Sequence, residues 1–238
     1  DRYEFWINGR CITNMQDLII LSPTSIQLCN MKSLRNFEVI ELVDDVDSDS
    51  ELLNKGTLYV DINGKIARDV KKEKLFPLVK GIYETNPNTN GSRLAQFIYG
   101  PSYLSFDYAL AEYGLIPEAV YVFTCATFNK KKIKTYTNKF GTFIYRDVPN
   151  NVFSYGVMVN VDGNYAYHIA TPEKALCDKL YTISPVKTIK NLKRLLFDDL
   201  RIDEDKFNEL NKQDILKLAP LYHSTNLNLL AKFIKGEK

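Results

Sequence analysis

The stretch Gly100–Pro117, Gly-Pro-Ser-Tyr-Leu-Ser-Phe-Asp-Tyr-Ala-Leu-Ala-Glu-Tyr-Gly-Leu-Ile-Pro, constrains this chain more than any other, because it carries both ends of one helix. Ser105 stands where an N-terminal cap belongs. Asp107 falls in the first turn, where a carboxylate suits the positive end of the helix dipole. Phe106, Ala109, Leu110 and Tyr113 recur at helical spacing and line one buried stripe. Gly114 supplies a left-handed exit, and Pro117 prevents the helix from resuming. The spacing establishes a core helix and says nothing about chemistry.

Around that helix, strand signals come first and helix signals last. Thr57–Ile62 and Lys65–Val70 flank Asn63-Gly64, a two-residue hairpin signal. Leu75–Tyr83 reads as an apolar strand after the cationic bend at Lys71, Lys72 and Lys74. Asn86–Gly91, rich in Asn and Pro, reads as a connector. Beyond the helix, Ala119–Cys125 is β-branched and aromatic and reads as a buried strand. Lys130, Lys131, Lys132 and Lys134 make a basic turn, and Phe140–Arg146, Tyr155–Val161 and Tyr165–Ala170 are further strands. Thr171 then caps a helix with Pro172 at its first position and Leu176, Cys177, Leu180 and Tyr181 on its buried face. Ile189, Leu192, Leu195 and Leu196 repeat the spacing, Asp203 opens a short helix, and Asn226–Ile234 closes the chain. This order predicts an α+β fold, with a mixed sheet followed by C-terminal helices.

Residues 1–56 admit two readings. In one, Asn14–Leu21 and Ser25–Leu34 are helices and Phe37–Val43 a strand, the skeleton of a winged helix. In the other, Tyr3–Ile7, Asp17–Leu21 and Phe37–Val43 are strands of a small β-subdomain. The candidate recognition segment offers only Lys32 and Arg35 as cations, few for phosphate contacts. The run Asp44–Glu51 places Asp45, Asp47 and Asp49 at the first ligand positions of a calcium loop. Ser50 then stands where the turn wants Gly, and Gly56 where a bidentate Glu is needed, so an acidic linker is expected instead. Residues 1–56 carry ten acidic and five basic side chains, a net of −5, and the remainder is mildly basic at +7. The division expected is residues 1–56, then residues 57–238 made of a hairpin part over 57–85 and an α+β part over 92–238.

Four stretches in order carry a resemblance. Leu78–Tyr83, Tyr103–Ser105 with Tyr113–Glu118, Phe140–Arg146 and Ala170–Asp178 together resemble the AbiEi family of bacterial antitoxins, from type IV toxin–antitoxin (abortive infection) systems. The resemblance covers roughly Thr57 to the C-terminus. It implies a cytoplasmic antitoxin that counteracts a nucleotidyltransferase-like toxin in phage defence and regulates transcription of its own operon. It also implies a winged helix for DNA binding at the N-terminal end, the part matched least well here.

The residues themselves supply no catalytic motif. The two histidines, His168 in an expected strand and His223 in a loop, have no motif neighbours, so both read as structural. No Gly-x-Ser-x-Gly elbow occurs, and Gly64-Lys65 is followed by Ile66 where a phosphate loop needs Ser or Thr. Gly91-Ser92 lacks the downstream paired aspartates of the partner toxins. Cys11, Cys29, Cys125 and Cys177 are scattered, with no Cys-x-x-Cys pair, and read as reduced core thiols. No apolar run approaches the ~20 residues of a membrane span. The start, Asp-Arg-Tyr-Glu, shows no signal-peptide pattern and no initiator Met, which implies that residues precede it.

No enzyme activity, cofactor or metal is therefore expected, and the surface carries the candidates. Lys71, Lys72 and Lys74, with Lys130, Lys131, Lys132 and Lys134, are the groups expected to meet operator DNA or a protein partner. Phe128 and Tyr136 flank the second cluster, placed either to stack on bases or to pack inward. The alternative to an antitoxin is a DNA-binding transcriptional regulator without that activity.

Overall fold

The computed structural model describes residues 5–7, 10–12, 62–162 and 165–236. The winged-helix segments, the acidic run and Cys29 all fall outside those residues. The chain divides into two compact units, Asp1–Thr89 and Asn90–Lys238. Its architecture is α+β, as the order of strand and helix signals predicts.

In the first unit, β1 (Phe5–Ile7) and β2 (Arg10–Ile12) pair antiparallel. The hairpin expected around Asn63-Gly64 does not form, because Ile62–Lys71 is a helix, α1. Ile62, Ile66 and Val70 recur every fourth residue, and Lys65 Nζ meets Asp69 Oδ2 at 3.0 Å one turn on. That spacing prevails over the local turn signal. The strand expected over Leu75–Tyr83 is instead a hairpin of β3 (Phe76–Val79) and β4 (Ile82–Glu84), with a register shift between Pro77 and Val79. Gly81, at φ +86°, takes a left-handed turn between the strands that residues with a Cβ rarely adopt.

The second unit opens with α2 (Gly91–Ile98), where the sequence suggested the end of a connector. Asn90 caps it by accepting the Ser92 amide at 3.0 Å. Then follow β5 (Tyr103–Leu104), α3 (Phe106–Glu112), β6 (Val122–Thr127), β7 (Lys134–Asn138) and β8 (Gly141–Asp147). β9 (Val157–Asp162) and β10 (Tyr165–Ala170) complete a six-stranded sheet in the order β7-β8-β6-β5-β10-β9. β6 runs parallel to β8 and β5 parallel to β10, while the other neighbours are antiparallel. The strand expected over Ala119–Cys125 begins three residues later, and Tyr121 is left 86% exposed. Lys134, expected in a turn, already belongs to β7.

Helix α3 has the stripe and the stop its sequence dictates. Phe106, Ala109 and Leu110 are buried and Gly114 leaves at φ +67°, while Tyr113, expected on the same stripe, is the C-cap residue and is half-buried. Its start differs from expectation: Ser105 occupies the cap position without a side-chain cap bond, because its hydroxyl donates to Asp178 Oδ2. Helix α2 packs on β5, β6 and β10, α3 on β6 and on α4 (Pro172–Tyr181), and α4 on β10. The capping of α4 by Thr171, with Pro172 at its first position, is as expected, but Tyr181 is 38% exposed rather than buried.

The C-terminal layer comprises α5 (Ile189–Arg194), which runs on into a π-type turn, α6 (Glu204–Glu209), α7 (Lys212–Leu218) and α8 (Thr225–Lys235). Leu176, Leu180, Leu192, Leu196, Ile215, Leu227 and Leu230 form its core, all without exposed surface. At about 1.5–3 kcal/mol for each fully buried large aliphatic side chain, this layer is held chiefly by the hydrophobic effect. One polar residue fixes its register. Fully buried Asn226 donates to the carbonyls of Leu180 at 3.1 Å and Ile183 at 3.0 Å, and accepts from the Val186 amide at 2.9 Å. It thereby pairs the Ile183 carbonyl and the Val186 amide beyond the end of α4, and gives the Leu180 carbonyl, which also accepts from the Ile183 amide at 3.4 Å, a second donor.

Candidate functional site

The most polar feature of the interior lies where two of the resembling stretches meet. Helix α4 places Lys174 and Asp178 four residues apart on its buried face, both at 0% exposure. Lys174 Nζ donates to Asp178 Oδ1 at 2.9 Å and to the Tyr222 hydroxyl at 2.6 Å. That hydroxyl in turn donates to Asp178 Oδ1 at 2.6 Å. The other carboxylate oxygen, Oδ2, accepts from Tyr103 at 2.9 Å and from Ser105 Oγ at 2.7 Å. Here is why Ser105 caps nothing: its hydroxyl is committed to Asp178. Its backbone is engaged as well, the amide donating to Thr124 O and the carbonyl accepting from Thr124 Oγ1.

The Lys174 ammonium also lies 4.8 Å from the centre of the Tyr222 ring and 5.6 Å from that of Tyr103. Desolvation, and then the Asp178 charge, push the Tyr103 and Tyr222 phenols above their ordinary range, so both remain hydrogen-bond donors. Every member of the cluster is at most 2% exposed. A sealed charge pair with all its partners satisfied ties β5, α4 and the turn before α8 together, and no substrate reaches it. Sequence reading missed the pair because it counted only apolar residues on the α4 stripe. A lysine and an aspartate at i and i+4 on that stripe were the available signal.

The lysine clusters lie at the surface. Lys71, Lys72 and Lys74 are exposed at the end of α1 and in the turn after it, in the first unit. In the second unit, Lys131 and Lys132 are exposed, and Lys130 and Lys134 are half-buried. The turn that presents them is built by Asp147, whose Oδ2 accepts the amides of Lys130 at 2.7 Å and Lys131 at 2.6 Å. Asn129 and Lys131 take positive φ values of 56° and 59° there. Lys130 Nζ sits 5.1 Å from the Tyr99 ring centre, so part of its reach is spent on the fold. Phe128 packs on Phe153 at 4.5 Å, and Tyr136 on Tyr99 and Tyr145 at 5.8 and 5.9 Å. Both aromatic neighbours are thus used in internal packing.

His168 lies in β10, its Nδ1 at 2.6 Å from Gln96 Oε1, and burial lowers its pKa below 6.5. His223 is exposed, at a left-handed φ of 50° at the end of the short helix before α8. Cys125 and Cys177 are buried free thiols whose pKa values burial raises, which leaves them unreactive. Among the described residues no three His, Cys, Asp or Glu side chains gather as metal ligands, and no helix is long and apolar enough to cross a membrane.

A second surface feature opens beside α3. Residues Val122 and Thr124 of β6 and Ile144 and Arg146 of β8 share one sheet face, since Thr124 is in register with Ile144. With Asp107, Val120, Lys179 and Thr182 they line a cavity of about 240 Å³. Comparison of the chain with models of known protein families and with curated proteins gives no match.

Proposed function

We propose that this chain is a non-enzymatic antitoxin of a type IV toxin–antitoxin system, acting in the cytoplasm against a nucleotidyltransferase-like toxin. One observation carries the reading. Two of the four stretches that resemble the AbiEi family, Tyr103–Ser105 and Ala170–Asp178, contribute Tyr103, Ser105, Lys174 and Asp178 to a single buried network. Residues that recur in a family's motifs are expected to meet in this way when the motifs encode a shared scaffold. The network is closed to solvent, which suits a scaffold that works through its exterior. Expression of the neighbouring gene, with and without this chain, is the test. Growth arrest that this chain relieves supports the reading, and arrest that persists beside folded chain overturns it.

Repression of its own operon is a second activity, favoured by the exposed Lys131 and Lys132 on a turn held by Asp147. A phosphate-contacting surface weakens steeply with salt. A mobility shift with the upstream DNA should therefore weaken between two salt concentrations, and weaken further in a Lys130/Lys131/Lys132→Ala variant. An unchanged shift in that variant removes the turn from DNA binding.

A further inference from the structure

We infer that the cavity between α3, α4 and the β6–β8 face is a binding site for a small oxyanion carried on an apolar body, a phosphate monoester or a carboxylate. The inference concerns a different part of the molecule from the lysine turn and stands whether or not the chain is an antitoxin.

Arg146 is the key group. It projects from β8 opposite Ala126 of β6, whose single methyl leaves the guanidinium room above the sheet. Its side chain is half-buried, and among the described residues no carboxylate, carbonyl or ring partners it. Of the unit's other arginines, Arg93 pairs with Asp162 and Arg201 with Glu118 at 2.6 Å, while Arg194 is exposed to solvent. A half-buried guanidinium presents five N–H donors in a planar fork that suits two oxygens of one oxyanion.

The remaining polar groups sharpen the chemistry. Thr124 Oγ1 is already committed, donating to Ser105 O at 2.6 Å and accepting from the Tyr108 amide at 3.0 Å. Thr182 Oγ1 donates to Lys179 O at 2.8 Å. Neither hydroxyl has a proton for a ligand. Lys179 meets Asp107 at 2.6 Å, and its ammonium keeps further N–H groups, so Asp107 balances one of the two cations and leaves a net positive charge. Donors without matching acceptors select a ligand that only accepts, which an ionised oxyanion does.

The rest of the wall is apolar, supplied by Phe106, Val120, Val122 and Ile144. A cavity of about 240 Å³ holds a ring or short aliphatic group with its anionic head, and is below the usual size of pockets for larger ligands.

The experiment uses the full chain and three probes: inorganic phosphate, phenyl phosphate and benzoate. Binding is followed by amide and arginine side-chain NMR shifts and by calorimetry. The expected result is saturable binding of phenyl phosphate or benzoate that shifts Arg146 and Ile144 and is at least about tenfold tighter than that of inorganic phosphate, a gain of about 1.4 kcal/mol from the apolar wall. Which of the two organic anions binds tells the phosphate source from the carboxylate source. Arg146→Gln should weaken binding at least about tenfold, Arg146→Lys should restore it only in part, and Arg201→Gln should leave it unchanged. The proposal is overturned if neither organic anion binds, if Arg146→Gln binds as well as the parent chain, or if Arg201→Gln weakens binding equally. Thermal unfolding of each variant confirms that a loss of binding is not a loss of fold.

Discussion

Replacing Lys174 by methionine is the sharpest perturbation of the interior. Methionine nearly fills the volume of the lysine stem, so packing changes little, but Asp178 loses the ammonium at 2.9 Å and Tyr222 loses its donor at 2.6 Å. The carboxylate keeps the hydroxyls of Tyr103, Ser105 and Tyr222, and remains at 0% exposure with no compensating charge. Breaking a buried pair from one side costs about 3–5 kcal/mol, whereas its three surviving hydrogen bonds place the loss toward the lower end. For a chain of this size that corresponds to a fall in Tm of roughly 6–20 °C. Adding Asp178→Asn removes the stranded charge, keeps an oxygen for Tyr103 and Ser105, and turns an amide toward Tyr222. The double variant should be more stable than Lys174→Met alone, with a coupling of about 1–3 kcal/mol. Denaturant unfolding followed by circular dichroism reads all four corners of the cycle at constant slope. The reasoning fails if Lys174→Met lies within about 1 kcal/mol of the parent chain, or if the double variant loses the sum of the two single changes.

Three further outcomes follow from other parts of the fold. Asn226→Leu strands the Val186 amide and the Ile183 carbonyl and removes one of the donors to the Leu180 carbonyl, and should cost about 2–4 kcal/mol in the same unfolding assay, at roughly 1–3 kcal/mol for each unsatisfied group with partial relaxation. Gly91→Ala should destabilise although alanine is the better helix former, because a Cβ there would lie 2.3 Å from the Phe123 ring and 2.7 Å from Phe140 O. A Tm equal to or above the parent's would contradict that packing. His168 gives a pH signature: burial lowers its folded pKa below 6.5, so the unfolded chain binds the proton first. Stability is therefore lost as pH falls through 6.5 toward the folded value, and His168→Gln should flatten the denaturation midpoint between about pH 7 and 5.5 relative to the parent.

Legibility in the sequence followed how local each signal was. The exit of α3 at Gly114 and the capping of α4 by Thr171 and Pro172 are set by residues within one turn, and the structure has them as read. Asn63-Gly64 failed because a turn signal of two residues competes with an apolar repeat spread over Ile62, Ile66 and Val70. Helix α2 was hidden by its opening Gly91-Ser92. That glycine reflects the approach of Phe123, a residue 32 positions away, rather than any wish to turn. Ser105 was misread for the same reason, since the partner that claims its hydroxyl, Asp178, is distant in sequence. The buried Lys174–Asp178 pair breaks the rule that charges face water, and apolar periodicity alone cannot register it. The positions of the lysines were legible and inward packing of Phe128 and Tyr136 was one of two readings left open, but the seating of Lys130 on the Tyr99 ring was not.

The measurement closest to the central claim is colony formation after induction of the neighbouring gene, in cells that carry this chain on a separately controlled promoter and in cells that do not. Immunoblotting and a thermal shift on the recovered chain establish that it is present and folded. The account predicts that colony counts return to the uninduced level as this chain is expressed. Counts that stay low beside abundant, folded chain would contradict it.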